Sequence, residues 1–107
     1  MEIIEPHSDS NWITAIICGR YVVAKVYNEP STYGVYNGRV SKIAILKTDK
    51  RDHNGNWFDQ CDVNYDRGTD FNNLWRKNRK LFNAIIKELE ALPLLDLSHL
   101  PESMRNG

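Results

Sequence analysis

A chain of 107 residues has interior enough for one hydrophobic core and too little for two, so one domain is expected. Its 14 basic and 14 acidic side chains cancel, which excludes a whole-molecule field that draws in nucleic acid or an anionic membrane; any electrostatic role must be local. The apolar share of 41% argues against disorder, and no run approaches the roughly 20 apolar residues of a membrane span.

Residues 1–10 read as an irregular lead-in, because Pro6, Ser8, Asp9 and Ser10 compete with regular pairing. This amino terminus is acidic and lacks an apolar leader, which makes the cytoplasm the expected compartment. Trp12 to Cys18 and Tyr21 to Tyr27 are rich in β-branched residues, and Gly19-Arg20 between them suits a type II′ turn, predicting a tight antiparallel hairpin. A third strand is expected from about Arg39 to Thr48, built on Val40, Ile43, Ala44, Ile45 and Leu46. The charged stretch Asp49 to Asn56 is centred on Asn54-Gly55, a hairpin signal. The fourth strand, Trp57 to Tyr65, alternates, with Trp57, Cys61, Val63 and Tyr65 on one face and Phe58, Gln60, Asp62 and Asn64 on the other.

After Gly68 the apolar period lengthens from two to about three and a half. Phe71, Leu74, Trp75, Leu81, Phe82, Ile85, Ile86, Leu89 and Leu92 predict one amphipathic helix over 70–92, broken in its stripe only by Asn78, capped by Thr69 or Asp70 and stopped by Pro93. The tail over 94–107 holds Leu94, Leu95, Leu97, Leu100 and Met104, too apolar for a free linker. It is expected to pack on the domain or on a second subunit, with a short helical turn after Ser98. The fold class that follows is α+β: a four-stranded antiparallel β-meander over 12–66, then one long amphipathic helix packed on the sheet. Free sheet edges then become places for partners or self-association, and a homo-oligomer is expected.

No enzyme constellation emerges. The three histidines, His7, His53 and His99, sit in the lead-in, a charged turn and the tail, where no fold holds a general base firmly. Cys18 and Cys61 lack metal or redox spacing and are expected to be buried free thiols, so neither a metal nor another cofactor is assigned. Asp59, Asp62 and Asp66 on the fourth strand have the chemistry to bind a divalent cation, yet alternating acids on a wet strand face are ordinary. Gly34 and Gly38, four apart, are a weak sign of a phosphate loop.

Binding chemistry is better represented. The segment from Asn28 to Lys42 packs turn formers together with Tyr33, Tyr36, Arg39 and Lys42, large side chains that a turn does not need and that cost entropy to order. Tyr65 and Arg67, in Asn64-Tyr65-Asp66-Arg67-Gly68, repeat that chemistry at the end of the fourth strand. Rings for stacking beside guanidinium groups are what a nucleotide-like anion or an acidic protein surface requires. The bland alternative is that the tyrosines plug the end of the sheet and Asp66-Arg67 fixes a corner. Arg76, Lys77, Arg79, Lys80 and Lys87 form a basic helix face, most simply solvated, with weak nucleic-acid binding as the functional alternative.

Three segments carry a family resemblance: Ala24-Lys25-Val26-Tyr27-Asn28-Glu29-Pro30-Ser31-Thr32-Tyr33-Gly34, then Asn37-Gly38-Arg39-Val40-Ser41-Lys42, and later Asn64-Tyr65-Asp66-Arg67-Gly68. Over residues 12–90 the chain resembles a group of small bacteriophage proteins of unknown function. Val35 stands where that group usually has Ile, and Thr69 where it often has Trp, so the corner after Gly68 is expected to be built differently. The resemblance implies a phage accessory protein and brings no catalytic residues. The expected role is counter-defence, by sequestering an anionic nucleotide-like ligand or by docking on a host protein such as a nuclease.

Overall fold

The structure, a computed structural model, describes residues 1–104. Six antiparallel strands follow one another in a single sheet, in the order β1 (Glu2–Glu5), β2 (Trp12–Ile17), β3 (Arg20–Val26), β4 (Val40–Leu46), β5 (Cys61–Asp66) and β6 (Thr69–Asn72). Three helices accompany them: α1 (Trp57–Gln60), α2 (Leu74–Lys77) and α3 (Arg79–Glu90). The α+β class stands, and the expected four strands become six.

Both additional strands come from segments with poor strand signatures. The lead-in pairs as β1, with Glu2 opposite Ile16 and Ile3 opposite Ala15, and His7 Nε2 donates to the Val26 carbonyl at 2.8 Å. At the other edge, the segment expected to start the helix at Thr69 or Asp70 pairs as β6, Asn72 opposite Val63 and Phe71 opposite Asn64, and Asn72 Oδ1 accepts from the Trp75 N–H at 3.0 Å at the start of α2. Neighbouring strands satisfied these backbones where local propensity did not.

The first hairpin turns one residue earlier than Gly19-Arg20. Ile17 pairs with Arg20, and Cys18 and Gly19 both have positive φ, 51° and 75°, which is a type I′ turn. Cys18 is therefore exposed at the turn, against the expectation of a buried thiol, while Cys61 is buried. Asn54-Gly55 does not join two strands directly. A long excursion separates β4 from β5, and Asn56 caps α1 by accepting from the Asp59 N–H at 3.1 Å.

The fourth predicted strand thus begins as a helical turn, and its alternation also breaks. Ile45 faces Val63 but Leu46 faces Cys61, leaving Asp62 as the extra residue of a bulge. Val63 joins the helix-covered core, while Cys61 packs on the opposite face with Ala44, Leu46, Trp57 and Phe71. Arg20 neutralises the buried Asp62 at 2.8 Å and also donates to the Leu46 carbonyl at 2.9 Å.

The long helix is two. Asn78 leaves helical geometry (φ −158°, ψ 73°), ends α2, and caps α3 through its side chain, which accepts from the Leu81 N–H at 3.2 Å. Phe82, Ile85, Ile86 and Leu89 of α3 bury against Ile13, Ala15, Ile17, Val22, Ala24, Val26, Ile43 and Ile45. Each full burial of such a side chain is worth about 1.5–3 kcal/mol, so this contact fixes the helix on the sheet. The tail folds back on the same chain: Asn28 exchanges two hydrogen bonds with the Leu95 backbone, at 2.9 and 2.7 Å, and Leu97 is buried. A helical turn spans Glu102–Met104, and the last three tail positions, 105–107, lie outside the described residues.

Candidate functional site: two cavities beside one strap

The segment between β3 and β4 closes tightly on itself and on the end of α3. A 3-10 turn at Val35–Asn37 brings Gly34 against Gly38, where a Cβ on Gly34 would run into the Gly38 carbonyl. A Cβ on Gly38 would meet the Glu90 carboxylate. The four-residue glycine spacing is thus a close-approach device rather than a phosphate loop. Glu90 Oε2 accepts from the Arg39 and Val40 backbone N–H groups at 2.8 and 3.3 Å.

Arg39 completes this joint. Its Nε donates to the Tyr27 carbonyl at 2.8 Å, and its Nη1 donates to the carbonyls of Glu90 and Leu92 at 2.9 and 2.7 Å. A cation at a helix C-terminus, bonded to carbonyls that have no intrahelical partner, is a clamp. Arg39 therefore leaves the expected ligand cluster. Lys42 leaves it too: it pairs with Asp66 at 3.4 Å across β4 and β5 and borders a small hollow on the open face with Trp12 and Trp57.

The remaining expected residues do converge, in two cavities on either side of the strap formed by residues 33–36. One cavity, of about 490 Å³, is lined by Val35, Tyr36, Tyr65, Asn72, Trp75, Arg76 and Phe82. Tyr36, Trp75 and Phe82 pack as a triangle with centroids 6.0 to 6.2 Å apart, two of the three contacts edge-to-face. Tyr36 sits in the left-handed region (φ 55°, ψ 32°), which costs a non-glycine residue about 1–2 kcal/mol, and its hydroxyl donates to Asn83 Oδ1. Strain of that kind clusters at sites where a side chain must be presented. Tyr36 and Trp75 remain 56% and 38% exposed, so their rings are available at the cavity.

The second cavity, of about 380 Å³, is bordered by Tyr27, Glu29, Tyr33, Ser41 and Arg67 among others. Tyr65 links the two, because it lines the first while its hydroxyl donates to the Tyr33 carbonyl at 2.9 Å. The two sequence-distant turns meet, and share a wall rather than a single mouth.

The basic helix face divides at Asn78. Arg76 reaches the aromatic cavity, and Arg79 lies 3.9 Å over the Trp75 ring with its Nε donating to the Trp75 carbonyl at 3.2 Å. Lys77 and Lys80 are exposed on different helices. Trp75 and Phe82 are site residues that sequence reasoning assigned to the apolar helix stripe, and Asn72 is one that it gave no role. Their only signal was an indole beside a guanidinium, Trp75-Arg76, on a segment read as continuous helix.

Among the described residues there is no group of three His, Cys, Asp or Glu side chains placed to hold a metal, and no helix long and apolar enough to cross a membrane. The chain belongs to the family defined by the Domain of unknown function (DUF7678), which matches residues 11–90. No curated protein and no solved structure matches the chain. The matched stretch runs from β2 to the end of α3 and contains every residue lining both cavities.

Proposed function

We propose that the protein is a non-enzymatic binding module that holds an anionic, nucleotide-like ligand in the aromatic cavity. Tyr36, Tyr65 and Trp75 supply ring surface for a base, and Arg76 supplies the charge for a phosphate. The observation that carries this reading is the meeting of four rings from three distant segments with Arg76, which forms no ion pair among the described residues. A cavity of this size lies in the range used for ligands of nucleotide scale. The bacteriophage setting and a counter-defence role by sequestration belong to the same proposal and rest on the motif resemblance. The test is calorimetry against AMP, ADP-ribose and cyclic dinucleotides. At least one should bind saturably, and Trp75→Ala and Arg76→Gln should each weaken it tenfold or more; a flat response across the panel removes the reading.

A second reading, docking on a host protein by strand addition, is favoured by the outer edge of β1, where Ile3 and Ile4 are 46% and 47% exposed. Ile3→Lys would abolish capture of such a partner without touching the cavity. A pull-down from host lysate that returns the bait alone rejects it.

A further inference from the structure

The cavity on the Tyr33 side of the strap differs in chemistry from the aromatic one. Ser41 borders it and is 4% exposed, yet its Oγ makes no hydrogen bond of acceptable geometry. Buried hydroxyls are almost always partnered, so this one has unused donor capacity on a cavity wall. Arg67 borders the same space. Its backbone is pinned in the left-handed region (φ 54°) by donation from its N–H to the Ser41 carbonyl at 3.0 Å, which places the two residues side by side. Its guanidinium forms no ion pair among the described residues, whereas the adjacent acid Asp66 is already held by Lys42.

The field at this spot favours negative oxygen. Burial raises the Tyr27 phenol, but the Lys25 ammonium, the Ser41 hydroxyl and the Arg67 guanidinium together bring it below its ordinary value. A phenolate is one oxyanion, and of these groups Ser41 and Arg67 border the cavity, where a ligand phosphate would meet them. Glu29, exposed on the rim, is the one carboxylate lining the cavity and opposes any anion that enters.

We infer that this second cavity is a tetrahedral-oxyanion site, separate from the aromatic cavity, in which Arg67 supplies a two-pronged charged donor and Ser41 a hydroxyl donor to a phosphate or phosphomonoester. A guanidinium fork matches two phosphate oxygens, and a hydroxyl can rotate to reach a third. The Tyr33 ring at the mouth gives a monoester carrying an aromatic group a surface that free phosphate lacks.

The test follows melting temperature in inorganic phosphate, phenyl phosphate and chloride at constant ionic strength, with backbone amide shifts recorded alongside. Phosphate should raise the melting temperature where chloride does not, and should shift the amides of Ser41 and Arg67. Arg67→Gln and Ser41→Ala should each weaken phosphate binding at least tenfold, and Glu29→Gln should tighten it. Tighter phenyl phosphate identifies a monoester as the ligand, and equal affinities identify free phosphate. Ser41→Ala deletes one hydroxyl and keeps the bond from the Arg67 N–H to the Ser41 carbonyl, so it reports on binding even if Arg67→Gln folds poorly. An equal rise in chloride, retention of binding in Ser41→Ala, or amide shifts that leave Ser41 and Arg67 untouched overturn the inference. None of these outcomes depends on whether nucleotides bind the aromatic cavity.

Discussion

Arg39→Ala separates an architectural arginine from a ligand-binding one. The wild-type side chain donates three hydrogen bonds to backbone carbonyls, one on Tyr27 and two at the end of α3 on Glu90 and Leu92. Charged hydrogen bonds are worth about 1.5–3 kcal/mol each, but the carbonyls are only part-buried, and water will replace some of what is lost. Removing the cation also takes away about 0.3–1 kcal/mol of favourable interaction with the helix end. A net loss of about 3 kcal/mol is expected, which for a domain of this size lowers the melting temperature by roughly 12 °C. Urea denaturation with the slope held common to both proteins gives the number directly. Arg39→Lys should recover only part of it, because an ammonium cannot span carbonyls on two segments. A melting temperature within roughly 2 °C of wild type, combined with lost ligand affinity, would refute the clamp and return Arg39 to the binding site.

Other outcomes follow from single contacts. Asn78→Ala should cost about 1 kcal/mol, since it removes the side-chain acceptor that caps α3; an unchanged urea midpoint would mean the two helices fuse without penalty. In the native protein one thiol, Cys18, should react promptly with a disulfide reagent, and the second only after unfolding; two equally fast thiols would contradict the burial of Cys61. Burial first, then the Asp62 carboxylate, pushes the Cys61 thiol up to about 11 from an ordinary 9.0. An acid whose folded pKa is raised contributes stability that is complete below its unfolded value. That contribution, about 2–3 kcal/mol, is lost as pH climbs from roughly 9 to 11. Cys61→Ala should flatten the decline across that window, and parallel wild-type and variant curves would dismiss the effect.

What the sequence made readable was set by how local the signal was. Alternation and β-branched content located β2, β3 and β4 because each pairs with the strand next to it in the chain. Glu2–Glu5 and Thr69–Asn72 have neither signature, and they are strands because β2 and β5 offered unpaired edges. The bulge at Asp62 inverted half of β5, since one inserted residue flips every later side chain to the other face. Asn78 looked like a polar interruption in one helix because an N-cap and a solvent-facing asparagine have the same letter. At the site, the aromatic and cationic surplus marked two turns that border cavities, but not which members face one. That depended on contacts over 47 and 51 residues of separation, such as Tyr36 to Asn83 and Arg39 to Glu90.

The same motif therefore does two jobs, and the division follows from sterics. Gly34 and Gly38 let the backbone fold flat against Glu90, and Arg39, the next residue, is drawn into the helix end with its carbonyls. Once residues 38–40 are held there, the chain between the glycines has no room inward except for Val35, which is buried. Tyr36 is forced outward in a left-handed conformation against Trp75, and Tyr33 is left 65% exposed at the opposite cavity. Presentation of the two tyrosines on either side of the strap is thus a consequence of the joint at Glu90. A substitution such as Gly38→Ala, whose Cβ would meet the Glu90 carboxylate first and crowd the Val35 carbonyl, should disturb both cavities at once by displacing that carboxylate. Nucleotide binding and phosphate binding would then fall together in Gly38→Ala while Trp75→Ala and Ser41→Ala each remove one alone. Independent behaviour of the two cavities in Gly38→Ala would show that the strap is positioned by something other than this joint.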